Sequence, residues 1–215
     1  MSPRRILVVV GHPIAGSLNH ELARSYASAA EAAGGEVRVR DLAEEPPAYP
    51  VSREQLRAHV TELGHLEVGV AEDIADLRWA EHVVIFFPQW WGTYPAVLKN
   101  WIDRTFLSGV VFRYGAGLRW EKLLSGRTAR LVMTHDSPGF YNLLAYHDAA
   151  IVSLRAATLG YCGIKTVGVT RFNPVRGSVA TAREKWLSRV AGLGSADGRV
   201  PGRARAAVQQ PVAVS

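Results

Sequence analysis

Residues 83–103 read VVIFFPQWWGTYPAVLKNWID, and the reading of this stretch decides the fold. The branched and aromatic apolar run of residues 83–87 stops at Pro88, and a helical pattern begins around Pro95. A run that short, closed by a turn signal, fits a strand buried on both faces. The loop between strand and helix carries Trp90 and Trp91 beside Gly92. In an open parallel sheet, ligands settle beyond the carboxyl ends of the strands, so this loop falls where a ligand binds. Two indoles there suit a flat aromatic ring, because aromatic faces stack and bring large apolar area. The same residues also read as core or as an interface, the commoner fate of Trp, Phe and Pro near a strand end.

The chain of 215 residues is long enough for one full core and short for two. A hydrophobic content of 48% with 20% charged residues is ordinary for a soluble globular protein, and no apolar run is long enough to cross a bilayer. Arg4 and Arg5 lead into only residues 6–10 as an apolar run, too short for a secretory signal, so a cytoplasmic location is expected. The single cysteine, Cys162, agrees with a reducing compartment and reads as a small core residue between Gly160 and Gly163. The net charge of +6 comes with no nucleic-acid reading motif, and an anionic cofactor accounts for it equally well. The seven histidines show no ligand spacing backed by acids or thiols, so no metal is expected.

Outward from the central strand, residues 6–10 form a first apolar run. Leu18, Leu22, Tyr26, Ala29 and Ala33 then recur at helical spacing until Gly34 and Gly35. Residues 36–42 alternate before Pro46, Pro47 and Pro50 break the pattern, completing a βαβ opening. The first βα loop lacks both GxGxxG and GxxxxGK[ST], which disfavours the usual nucleotide cradles. It offers instead His12, Ser17, Leu18 and Asn19 at a helix start, where backbone amides, a hydroxyl and the helix dipole suit a phosphate. Ser17 also reads as a plain helix cap, and His12 as a ring satisfying its own backbone.

Ser52 and Gln55 have capping-box spacing ahead of Leu56 and Val60, and Ile74 with Leu77 marks another helix. Val97, Leu98, Trp101, Ile102 and Thr105 form a buried stripe, with Pro95 near the first turn. Residues 107–127 are a long connection containing Phe112, Tyr114 and Trp120, a length that is uncommon without a function or a contact. Residues 129–133 give a fourth strand, and the loop after it, Thr134, His135, Asp136 and Ser137, carries hydroxyls and amides or else is an ordinary turn. Leu144, Ile151 and Leu154 mark the next helix, residues 165–172 a fifth strand, and Val179, Trp186 and Val190 a closing helix. Residues 1–194 read as one domain and residues 195–215 as a flexible tail. Five βα alternations give a doubly wound α/β fold, a five-stranded parallel sheet of order 2-1-3-4-5 with helices on both faces.

The stretch FPQWWGTYPAVLKNWIDR resembles the flavin-loop signature of the quinone reductase branch of the flavodoxin-like superfamily. The pattern GHPxxxSLN is similar to that family's first flavin loop, and the Thr-x-Asp-x-Pro-x-x-Tyr arrangement from Thr134 to its third. The resemblance implies FMN, with FAD possible, reduced by NADPH or NADH and reoxidised by a quinone or similar acceptor in a two-electron ping-pong sequence. It implies that His12, Ser17, Leu18 and Asn19 line the phosphate and ribityl part. Pro88, Gln89, Trp90, Trp91, Gly92, Thr134, His135, Asp136 and Ser137 would then line the ring. Tyr141 and His147 match a Tyr and His that help hydride transfer by stabilising charge on the flavin. Placed six residues apart on one helix they would face different ways, so the pairing requires Tyr141 to sit in the loop. Residues 107–127 would contribute to a homodimer contact and to the wall of the substrate pocket. Two other readings fit the same motifs: a flavin-bearing ancillary subunit of a transport system, and a flavodoxin-type electron carrier. The basic charge speaks against the carrier.

Overall fold

The computed structural model describes residues 2–57, 63–115 and 119–203. Strand β3 (His82–Pro88) is buried at every position, as its unbroken apolar sequence requires. It pairs in parallel with β1 (Arg5–Val10) on one side and β6 (Thr128–Thr134) on the other. Edge strands β2 (Glu36–Asp41) and β7 (Lys165–Phe172) complete a sheet of order β2-β1-β3-β6-β7. This is the expected 2-1-3-4-5 arrangement. Its last two strands carry higher numbers because the long connection of residues 107–127 contains a small antiparallel pair, β4 (Phe112–Tyr114) and β5 (Trp120–Lys122).

Alternation along the strands sends successive side chains to opposite faces. Leu7, Val9, Val83, Ile85, Phe87, Leu131 and Met133 pack on one side against α2 (Val68–Trp79) and α3 (Ala96–Thr105). Ile6, Val8, Val84, Phe86 and Val132 pack on the other against α1 (Leu18–Ala32) and α6 (Ala180–Gly198). Leu98, Trp101, Ile102 and Thr105 are buried as the spacing predicts, Val97 only partly, and Pro95 caps α3 from just outside its first turn. Cys162 is buried, and desolvation pushes its thiol up to about 12, so it is an inert core residue.

Three expectations need correction. The tail does not begin at residue 195, because α6 continues to Gly198 and buries Asp197. The glycines that look like breakers permit the packing: a Cβ at Gly194 would fall 2.2 Å from the Tyr26 carbonyl oxygen, and one at Gly198 2.3 Å from that of Ala30. Spaced one turn apart, they let α6 lie against the backbone of α1. Residues 204–215 lie outside the described residues. The helix near Ser52 is a single 3-10 turn, Glu54–Leu56, in which the Gln55 side chain accepts from the amides of Val51 and Ser52; Val60 lies outside the described residues. The segment after β6 is not one helix but α4 (Gly139–Leu144) and α5 (Ala149–Val152), the latter running into a π-helical stretch, Ser153–Gly160. His147 and Asp148, at φ 51° and 53°, break it, and Leu144 is exposed while Ile151 and Leu154 are buried.

Among the described residues no helix is long and apolar enough to cross a membrane.

Candidate cofactor site

Four connections leave the carboxyl edge of the sheet side by side and enclose a cavity of about 200 Å³. The β1–α1 loop and the start of α1 supply His12, Ser17, Leu18 and Asn19. The end of β3 and its loop supply Pro88, Gln89 and Trp90; the end of β6 and its loop supply Thr134, His135 and Asp136. The β7–α6 connection adds Val175, which sequence reasoning missed. Its signal was topological only, since residue 175 follows the fifth strand at the same edge.

Hydrogen bonds tie these loops together. Asn19 Nδ2 donates to Thr134 Oγ1 at 3.0 Å, and the Gln89 amide to the Thr134 carbonyl at 2.7 Å. The Asp136 carboxylate accepts from the Arg176 amide at 2.6 Å, and the Ser137 carbonyl from Asn173 Nδ2 at 3.2 Å. Gln89 Nε2 donates to Asn142 Oδ1 at 2.6 Å, and Asn142 Nδ2 donates to Asp148 Oδ1 at 2.9 Å. Asp148 in turn pairs with Arg171. The Asn142–Asp148–Arg171 chain fixes the second and third loops against each other, and no local sequence pattern announces it.

Two buried side chains on this cavity remain polar without a match. Asn19 is 2% exposed, and its Oδ1 accepts no hydrogen bond. His135 is 4% exposed, and neither ring nitrogen makes a hydrogen bond of good geometry. Burial lowers the pKa of His135, opposed by the Ser137 backbone, so the ring is neutral at pH 7 and offers one donor and one acceptor. Buried polar groups are normally paired, and an unpaired one costs on the order of 1–3 kcal/mol. Their clustering on one cavity fits a polar ligand with hydroxyl and heteroaromatic edges, as a flavin has. The first turn of α1 adds amides with no partner inside the helix.

His12 combines a place on the cavity wall with a bond to its own backbone. It borders the cavity, and its Nδ1 accepts from the Ile14 amide at 3.1 Å. Its ring meets Trp90 edge-on at 5.4 Å, and burial lowers its pKa. Trp90 and Trp91 part company. Trp90 and Thr93 exchange backbone hydrogen bonds, leaving Trp91 and Gly92 as a two-residue turn with φ 51° and 76°. The Trp91 side chain is fully exposed at the tip and does not line the cavity. Gly92 and Ser137 lie on the same loops outside the lining.

Tyr141 sits on α4, not in the loop, and it is His147 that occupies the turn. Neither lines the cavity. The Tyr141 ring packs edge-on against Tyr146 at 5.2 Å, and a Cβ at Gly92 would fall 3.9 Å from Tyr146, so this aromatic group adjoins the second loop.

A larger recess, about 530 Å³, lies between the end of α3, the β4–β5 pair and the π-helical stretch. Phe106, Phe112 and Tyr161 give it apolar walls, and it holds no unpartnered buried polar atom. The smaller cavity therefore carries the binding chemistry, despite its size.

In a doubly wound sheet ligands settle where the strand order reverses, and the cavity with its unpartnered polar groups lies there. The chain belongs to the family described as having a flavodoxin-like fold, whose model matches residues 4–191. It is 32% identical over 153 residues to a ribosyldihydronicotinamide dehydrogenase-like protein of Penicillium crustosum, covering 60% of this chain and 57% of that one. It is 29% identical over 162 residues to an FMN-dependent NADH:quinone oxidoreductase of Shewanella amazonensis, covering 70% and 77%. The structure of an NAD(P)H:quinone oxidoreductase from Methanothermobacter marburgensis superposes with a TM-score of 0.74 at 19% identity, covering 91% of this chain and 98% of that one. The chain thus spans little more than half the length of the first relative.

Proposed function

We propose that this protein is a flavin-dependent oxidoreductase that passes a hydride from NAD(P)H, by way of FMN, to a quinone or similar acceptor. The observation that carries the reading is the clustering of the unpaired Asn19 Oδ1 and the neutral, buried His135 ring, which has no well-aligned partner, on the cavity at the sheet's switch point. The relatives named for quinone reduction and for FMN dependence support the same assignment. Bound FMN supplies a ring that takes up and releases hydride. The chain's part is to hold it. Ser17 and the amides of Leu18 and Asn19 bind the phosphate, and Asn19 and Thr134 the ribityl hydroxyls. Trp90 with Pro88 and Gln89 flanks the ring, and the third loop presents dipoles to its polar edge. Tyr141 and His147, on α4 and the turn after it, would be the phenol and imidazole that favour charge arriving on the ring.

The same reading includes a homodimer in the cytoplasm. Tyr114 and Trp120 are exposed beside the larger recess, and Phe140, Leu143 and Leu144 are exposed on α4. Apolar area of that extent is covered when two copies associate. Light scattering at twice the chain mass is the expected result.

The decisive experiment is a visible spectrum of the purified protein followed by anaerobic addition of NADPH or NADH. A yellow protein that bleaches and recovers its colour on adding a quinone is expected. A colourless protein that takes up no added FMN would sink the assignment. Tyr141→Phe and His147→Gln should retain FMN and slow reduction; unchanged turnover in both removes these two from the chemistry.

A further inference from the structure

Behind Ser17 stands a pair of side chains that the cofactor reading leaves without a task. His20, three residues into α1, is 7% exposed. Its Nδ1 accepts from the Ser17 amide at 3.2 Å and lies 2.6 Å from Ser17 Oγ, and its Nε2 lies 3.0 Å from Asp41 Oδ1. Asp41 ends β2, the neighbouring strand, and its Oδ1 also accepts from the Ala43 amide at 2.9 Å.

A reach from the third helical residue back to the cap amide is the ordinary second half of a capping box, a job normally done by Glu or Gln. Capping makes no use of the far ring nitrogen, nor of a carboxylate on another element. The Ser17 hydroxyl, moreover, borders the cavity next to the unpartnered Asn19 Oδ1. A phosphate oxygen has only lone pairs to offer, so Ser17 can bind it only if the hydroxyl proton points outward.

We infer that Asp41 and His20 form a relay that turns the Ser17 hydroxyl into a donor for a phosphate monoester in the adjoining cavity. The inference rests on the cofactor reading above and deepens it. With one proton on the ring, held at Nε2 and shared with Asp41, Nδ1 accepts hydrogen bonds from the Ser17 amide and hydroxyl, and the hydroxyl has no proton left for the cavity. When the ring takes up a second proton from solvent, Nδ1–H gives up the bond from the Ser17 amide and donates to Ser17 Oγ instead, the hydroxyl turns its own proton outward, and Asp41 balances the ring's charge. A phosphate arriving at Ser17 selects the second arrangement, in which the hydroxyl donates to it. The charged and titratable groups around His20 are Asp41, His12 at a ring separation of 5.9 Å, and Arg24 and Glu31 further along α1. His20 and Asp41 are positioning residues, since they act through Ser17.

The test compares two ligands that differ only in the phosphate. FMN and riboflavin are titrated into flavin-free full-length protein, with quenching of flavin fluorescence as the readout. His20→Gln keeps the capping-box contact, and Asp41→Asn keeps the acceptor for Ala43. Each should weaken FMN about tenfold, the scale of one charge-assisted hydrogen bond, and riboflavin less than about twofold. In a Ser17→Ala background neither substitution should weaken FMN further. Equal losses for both ligands, or an FMN preference that survives both substitutions, overturns the relay. Wild-type protein that binds neither ligand overturns the cofactor reading itself, a result distinct from both.

Discussion

The two edges of one sheet handle buried polarity in opposite ways. At the amino edge, the Asp197 carboxylate accepts from Tyr26 Oη at 2.7 Å and from Arg130 Nε and Nη2 at 2.8 and 3.0 Å. Arg4 lies within ion-pair range at 3.7 Å and His82 Nε2 at 3.3 Å, the latter without hydrogen-bond alignment. At the carboxyl edge, Asn19 and His135 keep buried polar atoms without partners. At the first edge the Asp197 carboxylate draws its neighbours together and so holds the fold, although His82 Nε2 and Arg5 Nε there also lack an aligned partner. At the second, the neutral polar groups of Asn19 and His135 line a cavity, where a ligand can satisfy them. Burial alone does not tell a structural cluster from a binding site; an adjoining cavity does.

The largest effect should come from the amino edge. Asp197→Ala strands Arg4, Arg130 and His82, and should cost about 3–5 kcal/mol in guanidinium unfolding. A loss under about 1 kcal/mol would erase the contrast between the edges. Acid should act through the same group. Burial alone would raise the Asp197 pKa, but His82, Arg130 and Tyr26 hold it well below the usual carboxylate range. Its stabilising contribution is therefore present above the unfolded value of about 3.9 and is lost as pH falls through the folded value. His82 is also lowered, chiefly by desolvation, so the unfolded chain takes up that proton first, near its ordinary value of about 6.5. Both shifts predict a guanidinium midpoint that declines as pH drops below about 6.5. A midpoint that stays flat down to pH ~4 would contradict them.

The carboxyl edge should respond to ligand instead. FMN at a hundred times its dissociation constant should raise stability by about 2.7 kcal/mol, seen as an upward shift in Tm. Asn19→Ala should weaken FMN about tenfold while moving the stability of the flavin-free protein by less than about 1 kcal/mol. The smallest change belongs to the turn beside the site. Trp91 is fully exposed at φ 51°, so Trp91→Gly relieves left-handed backbone and removes no burial. It should gain up to about 1 kcal/mol in thermal unfolding, and a loss would mean that the indole has a contact in solution.

Local signals carried most of what the sequence disclosed. Residues 83–87 announced a central strand because burial on both faces leaves no polar position in the run. His12, Ser17, Thr134 and their neighbours stood out only through the resemblance of their loops to the family's flavin loops, and the sheet brings those loops to one cavity. What stayed hidden depends on partners far apart in the chain. Nothing near Gln89 points to Asn142, and nothing near His20 points to Asp41. Asp197 looked like part of a tail because Gly194 and Gly198 weaken any helical pattern, yet they are the positions at which α6 meets the α1 backbone. The two tryptophans looked equivalent until the Trp90–Thr93 pairing turned one inward and the other out.

The fit of α6 on α1 reaches further than the packing itself. Helix α1 has 15 residues and is about 22 Å long. Its far end rests on Gly198, and its near end carries Ser17 and Asn19. A methyl group at Gly198 would act on a rigid rod, lifting one end and swinging the other by a similar distance of about 1 Å, enough to misalign a binding turn. Substitutions at the back of the molecule can thus weaken flavin retention without touching the cavity, with α1 as the lever arm.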